Sequence, residues 1–312
     1  MENGIGRLFP LIVVAGAALS TWVGAGVAHP VHPPEPSGQA SSLLHHVNIF
    51  GRDDRRPMTF EERRRLSPVG SIGYEAKKAV GTATIVCTES SDPNRDFDLI
   101  ITAAHNFYNL QGRLRSREYY YYPGGPEGER VRVAEFTVGS TNPFHNFNRD
   151  WAVAVLDRRI SDHYGCLNYY ALTEDHFEDM REHGARYLIA ALHDKTKIIM
   201  VSPYCGPVRK LPGDMDFGTD EFYNIDCDFV KGASGGPVIL VRDSEWFTIG
   251  VLVRMVNMQK TKFGDAFDPT FNPNQAVRIG DRFQETIEDV ARTGHCHMRL
   301  HARPSPSRSA PE

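Results

Sequence analysis

Charge of one sign is not in surplus in this sequence: 35 Lys and Arg stand against 39 Asp and Glu, for a net charge of −4. Nucleic acid is excluded as an expected partner, because neutralising a phosphate backbone needs a basic face. Internal repeats are absent, which excludes a solenoid or propeller. Strand-like segments do not alternate with long amphipathic helices, which excludes a parallel α/β sheet. Long hydrophobic runs are confined to one place, "LFPLIVVAGAALSTWVGAGVA", and the glycines Gly24 and Gly26 lie inside it rather than in a phosphate-binding loop. The sequence calls for no organic cofactor. The histidine-rich "HCHMRLH" (His295, Cys296, His297, His301) is tightly spaced and has no second ligand pair, so no metal is expected.

What is present begins at the ends. The apolar run follows Arg7, carries no charge, and closes on Gly26 and Ala28, the small residues of an export-signal cleavage site after Ala28. At close to the ~20 residues of a membrane helix, an uncleaved anchor is the alternative. Residues 1–28 are therefore read as signal or anchor, 29–47 as linker, and 302–312 as a disordered Pro/Ser tail. An exported, periplasmic or secreted chain follows, with a membrane tether if the segment is retained. Five cysteines, Cys87, Cys166, Cys205, Cys227 and Cys296, suit an oxidising compartment, and the odd count leaves at least one unpaired. The stretch "GRDDRRPMTFEERRRLSP" mixes both signs and reads as solvated surface, with dibasic Arg55-Arg56 and the Arg63–Arg65 run as alternative processing sites.

Between residues 48 and 282 short segments rich in Val, Ile, Thr, Tyr and Phe are bounded by Gly, Pro and Asn/Asp. They include "AVGTATIVC", "DLIITAAH", "WAVAVLD", "ARYLIAAL" and "FTIGVLVRMV". The fold class is all-β and antiparallel, with enough strand for two barrels or sandwiches. One helix closes it: Ile279, Phe283, Ile287 and Val290 recur at helical spacing, and Gly294 is the stop, giving a helix over 283–294. The run Tyr119–Tyr122 reads as a strand with one buried face.

The chemistry gathers around "KGASGGP", Lys231–Pro237. Acyl transfer by a serine needs an imidazole to take its proton, a carboxylate to orient the imidazole, and backbone N–H donors for the oxyanion. "LIITAAHN" presents His105 at a strand end behind the small residues Thr102, Ala103 and Ala104. "NRDWAVAVLD" puts Asp150 where a loop enters an apolar strand. "KGASGGP" places Ser234 among glycines, where the amides of Gly232 and Ser234 are uncrowded. Each signal alone has a plain structural reading, but the order His, Asp, Ser in an all-β chain is that of two-barrel proteins and not of α/β hydrolases.

"TAAH", "RDWAV" and "GASGGP" resemble the trypsin-like (chymotrypsin-fold) serine endopeptidases. The "FGRDDRRPM…SPVGSIG" and "CDFVKGASGGPV" blocks look closest to their bacterial glutamyl-endopeptidase-like branch. The resemblance spans about residues 48–290. It implies two antiparallel six-stranded β-barrels, 48–160 and 161–282, with the site in the cleft between them. It also implies His105 as general base and acid, Asp150 as its orienting partner, Ser234 as nucleophile, and the Gly232 and Ser234 amides as oxyanion hole. The partner would be a protein or peptide substrate. By the same resemblance Cys205 pairs with Cys227, while Asn106 stands where animal enzymes carry a cysteine, so Cys87 lacks the partner it has there.

Ala233 replaces the aspartate that ion-pairs with the new N-terminus in trypsin, so that activation mode should not operate. Asp228, Phe229, Arg254 and Met255 fall at the expected specificity pocket. Asp228 sits where a lysine- or arginine-selecting carboxylate would be, but glutamate-specific relatives carry one too. Phe229, Arg254 and Met255 are bulkier than usual. Phe229 implies an altered pocket, Arg254 and Met255 either narrow it or recruit an acidic side chain, and a catalytically silent binding module on the same fold, its pocket blocked, is the alternative reading.

Overall fold

The computed structural model describes residues 47–75, 77–88, 95–209, 221–256 and 263–299. The expected signal or anchor, nearly all of the linker, and the C-terminal tail lie outside them, and no described helix is long and apolar enough to cross a membrane.

Six strands close the first barrel. Val131–Val138 pairs with Tyr120–Pro123, then come Val69–Tyr74, Lys77–Val86, Leu99–Thr102 and Ala152–Leu156, which returns to Val131–Val138. Met298–Arg299 adds a short edge strand to Val131–Val138. Period-two alternation divides the side chains between two cores. Ile100, Ala152 and Ala154 point into the barrel with Phe107, Tyr119 and Phe136. Leu99, Ile101, Val153 and Val155 point outward onto Val251, Val277 and the C-terminal helix. That double burial is why "DLIITAAH" and "WAVAVLD" read as nearly continuous apolar runs.

The second sheet runs Pro207–Val208, Phe222–Ile225, Asn274–Arg278, Glu245–Met255, Pro237–Arg242, Arg186–Leu192, Ile199–Pro203 and Arg56–Pro57, with Asn168–Tyr169 added in parallel to Glu245–Met255. It contains the long antiparallel strands expected of a second barrel, but its closure differs. Ile199–Pro203 bends at Tyr204, which takes a left-handed φ of 60°, and continues as Pro207–Val208 to pair with Phe222–Ile225. One continuous segment thus supplies the edge strand Pro207–Val208 on one side of the sheet and the next-to-last strand Ile199–Pro203, bordered by Arg56–Pro57, on the other.

The C-terminal helix spans Asp281–Thr293 and ends on Gly294 at φ 68°, the left-handed cap that glycine favours. Phe283, Ile287 and Val290 face the first barrel, and Phe283 stacks on Trp151 at 4.8 Å. Ile279 is buried just ahead of the helix rather than in it.

One surface expectation changes and another holds in part. The Tyr119–Tyr122 run is buried on both faces, since Arg130 covers the Tyr120 ring at 3.5 Å and the hydroxyls of Tyr119 and Tyr121 donate to the carbonyls of Phe107 and Pro68. The mixed-charge stretch after Gly51 is a strap whose Arg52, Asp54, Glu61 and Arg63–Arg65 are exposed, as expected of a solvated surface, while Asp53, Arg55, Arg56 and Glu62 are drawn into the fold. Val47–Asn48 pairs with Phe229–Val230, the Arg55 side chain is buried on Asp53, and Arg56 grips Glu62 through two hydrogen bonds of 2.6 and 2.7 Å. Thr59 and Glu62 form a capping box that starts the helix Phe60–Arg65, and Arg56 holds the Glu62 carboxyl down to about 2. Arg55 and Arg56 are therefore engaged in the fold.

Cys205 bonds Cys227, as the resemblance implied, and Cys87 bonds Cys166, which ties the end of strand Lys77–Val86 to the segment entering the second sheet. Cys296 is free and half-buried.

Candidate functional site

Register brings His105 and Asp150 together. Strands Leu99–Thr102 and Ala152–Leu156 are antiparallel neighbours, with Thr102 opposite Ala152. The chain leaving the first therefore emerges beside the chain entering the second. His105 lies in the single 3₁₀ turn Ala104–Asn106, and Asp150 follows the matching turn Phe147–Arg149. The buried, small Ala103 and Ala104 let the turn sit close against the sheet.

Asp150 is 3% exposed, and both carboxylate oxygens act on His105. Oδ1 accepts the His105 backbone N–H at 2.8 Å, and Oδ2 lies 2.6 Å from Nδ1. An ionised carboxylate only accepts, so Nδ1 carries the proton and Nε2 is left as an acceptor on the other side of the ring. One group thus fixes both the rotamer and the tautomer.

Ser234 sits on a turn latched to that same region. Its carbonyl accepts from Thr82 N at 2.8 Å and from Asn106 Nδ2 at 3.1 Å. Asn106 Nδ2 also reaches Thr102 Oγ1 at 2.9 Å, and Thr102 Oγ1 donates to Thr82 O at 2.6 Å. Thr82 Oγ1 donates to the Gly232 carbonyl at 2.9 Å and accepts from Leu192 N at 2.9 Å. The buried Thr82, Thr102 and Asn106 therefore join the histidine turn to the serine turn. Sequence reading missed this latch, because an Asn or Thr finds its partner only across the assembled fold. The one visible signal was three polar residues inside apolar strand ends.

The turn requires its glycines. Gly235 has φ 86°, and a Cβ there would stand 2.2 Å from both Thr102 Oγ1 and Thr82 O. Gly232 has φ 97°. Ala233 N donates to Val230 O, Gly235 N to Leu252 O, and Gly236 N to Ala233 O. The N–H groups of Gly232 and Ser234 donate to no acceptor among the described residues. No hydrogen bond joins the Ser234 hydroxyl to His105 among them either, and such contacts commonly tighten only around a bound substrate.

The four expected specificity residues separate. Asp228, 5% exposed, accepts from Phe50 N at 2.8 Å and from Asp54 N at 3.4 Å, so its oxygens engage the strap. Burial pushes its carboxyl up to about 6, and burial also raises that of neighbouring Asp54. Phe229 is buried in the core of the second sheet, and Met255 packs against that core. Arg254 lies on the Asp150 side. Its Nε donates to Gln275 Oε1 at 2.6 Å, and its guanidinium stands 4.1 Å from the Phe147 ring centroid. Burial brings this guanidinium down to about 10, and the charge of Asp150 acts in the opposite direction.

For metal chemistry, the described residues hold one cluster with suitable spacing, Cys205, Asp226 and Cys227. Both of its cysteines are in a disulfide, so the donor set does not fit an ion.

Compared with solved structures, the chain superposes over 78% of its length on 99% of a Glu endopeptidase solved in complex with MPD, with a TM-score of 0.53 at 17% identity. The fold is that of the trypsin-like serine proteases. A thermostable serine protease, AL20, from an extremophilic microorganism matches 73% of the chain and 98% of its own, with a TM-score of 0.52 at 15% identity. Protease Anisep from Arthrobacter nicotinovorans matches 73% of the chain and 97% of its own, with a TM-score of 0.50 at 13% identity. No family model and no curated protein matches the sequence. At these identities the likeness is one of chymotrypsin-like architecture, and the chemistry rests on the site itself.

Proposed function

We propose that the chain is a serine endopeptidase that hydrolyses peptide bonds through an acyl-enzyme. The supporting observation is the oriented His105–Asp150 pair at 2.6 Å beside a serine turn latched to the same segment. In this reading Nε2 of His105 takes the Ser234 hydroxyl proton as Oγ attacks the scissile carbonyl. The carbonyl oxygen becomes an oxyanion facing the Gly232 and Ser234 N–H groups. His105 then gives its proton to the leaving amine, the C–N bond breaks, and the acyl group stays on Oγ. Water, deprotonated by the same nitrogen, releases the acid and restores the serine. Asp150 keeps the proton on Nδ1 throughout and stabilises the imidazolium that forms.

The substrate would be a protein or peptide, met in the oxidising compartment that two disulfides suit, either periplasmic or secreted. Engagement of Asp228 by the strap argues against that carboxylate as a free counter-ion for a lysine or arginine side chain.

Fluorophosphonate labelling followed by peptide mass spectrometry tests the reading. A single adduct on Ser234, absent from Ser234→Ala and from His105→Ala, is expected. Folded protein that takes no label would overturn it in favour of a silent binding module.

A further inference from the structure

The turn that carries Asp150 is docked from both sides onto the second half of the molecule. Trp151, just after it, stacks on Phe283 of the C-terminal helix, and Asn148, just before it, donates to Glu221. Phe147, which opens the turn, lies under the Arg254 guanidinium at 4.1 Å, and Phe222 lies 5.8 Å from that group. Arg254 belongs to strand Glu245–Met255, the strand whose Leu252 carbonyl accepts Gly235 N at 2.6 Å behind the nucleophile. A register shift between Leu252 and Arg254 sets this side chain opposite Gln275, which fixes its Nε. Arg254 is thus a cation held between the serine strand and the aspartate turn.

We propose that Arg254 is a positioning residue for Asp150: stacked on Phe147, it fixes the 147–150 turn against the serine strand and sets a permanent positive charge in the field of the Asp150 carboxylate. The inference rests on the serine-peptidase reading only for its activity readout. A fixed cation there stabilises ionised Asp150 and opposes the formation of the His105 imidazolium. Other charged groups surround the pair. The Arg115 Nε donates to the His105 carbonyl at 3.0 Å, Arg149 and His145 are exposed on the aspartate loop, and Glu221 and Arg278 line a recess beside Trp151. Arg115 and Arg149 add positive charge as well, but the exposed Arg149 is screened by solvent. Of these, Arg254 is the one stacked on the turn itself.

Three variants test the role, Arg254→Met, Arg254→Gln and Arg254→Lys, each read by the pH profile of kcat/KM and by NMR titration of the His105 imidazole. Removing the charge in Met or Gln is expected to move the acid limb and the imidazole midpoint upward, on the order of 0.5–1 pH unit. Arg254→Lys is expected to restore their position while losing part of kcat, because it keeps the charge without the planar stack. Should the Met variant fail to fold, Gln, which retains a polar contact for Gln275, reads the same charge. A uniform loss of activity in all three variants, with the limb and midpoint unmoved, would overturn the proposal and leave Arg254 a packing residue. The NMR midpoint is read whether or not the protein hydrolyses peptides. An unlabelled, inactive parent whose midpoint still shifts in Arg254→Met would sink the peptidase reading and leave this inference standing.

Discussion

In the first barrel every long strand finds two neighbours, and Ala152–Leu156 returns to Val131–Val138 so that the ladder closes on itself. The second sheet has no closing ladder: the chain itself runs from Ile199–Pro203 on one side to Pro207–Val208 on the other, and amide side chains complete the side around it. Asn48 Nδ2 donates to the carbonyls of Val256 and Asn272, Asn274 Nδ2 to those of Cys227 and Asn48, and Gln275 Nε2 to Asn224. All four of these amide side chains, Asn48, Asn274, Gln275 and Asn224, are buried. A closed ladder satisfies its own backbone groups, whereas loops folded into an interior need side-chain partners, since a buried polar group left unpaired costs about 1–3 kcal/mol. The first barrel presents a histidine and an aspartate on strand ends. The second presents a serine on a turn supported by a strap, a disulfide and an amide network.

The difference can be broken first at the chemistry. Ser234→Ala should lower kcat on the order of 10⁶-fold if serine, histidine and aspartate act as a unit. Asp150→Asn should lower it roughly 10⁴-fold by presenting the wrong imidazole tautomer, with little loss of stability. Steady-state kinetics and thermal melts on both variants check this; an Asp150→Asn enzyme at full rate would remove Asp150 from the mechanism.

Stability separates the halves next. Opening Cys205–Cys227 by a double alanine substitution should cost about 3 kcal/mol on loop entropy alone, more because the loop Gly206–Asp226 also carries an edge strand. Asn274→Ala should cost about 2–4 kcal/mol, since the carbonyls of Cys227 and Asn48 would both lose a donor. Urea melts read both effects. The comparison sharpens if Thr137→Ala, a buried polar change in the closed barrel, costs much less.

The smallest effect concerns pH. The Asp228 carboxyl is raised from 3.8 to about 6 in the fold, so its ionisation opposes folding. The stability it allows is fully present below about pH 4 and is lost as pH rises through 6. Asp228→Asn should therefore leave the Tm near pH 4 almost unchanged and raise stability above pH 6 by at most roughly 2–3 kcal/mol. A lower Tm at pH 8 would show that the strap amides need the charge.

Local patterning made much of the molecule legible beforehand. The strand content, the C-terminal helix with its Gly294 stop, and the glycine-bounded serine turn follow from side-chain period and from backbone conformations that only glycine adopts cheaply. The helix Glu174–Glu182 was missed, because its one fully buried apolar residue, Phe177, gives too weak a period to read. The solvated reading of the mixed-charge stretch holds for Arg52, Asp54, Glu61 and Arg63–Arg65 but not for Arg55 and Glu62, for another reason. Charged residues look alike in sequence whether water or an ion pair receives them, and here Asp53 and Arg56 do.

The sequence by itself determined which residues carry chemistry-bearing groups and at which strand ends and turns they stand, because those are local properties of the chain. The tertiary structure alone decided who faces whom. Register placed Asp150 against both donors of His105, the Thr82–Thr102–Asn106 latch joined two turns more than a hundred residues apart, and the strap claimed Asp228. Hydrogen bonds and charge pairs depend on distances of about 3 Å between segments remote in sequence, and only the packing of two cores against each other sets such distances.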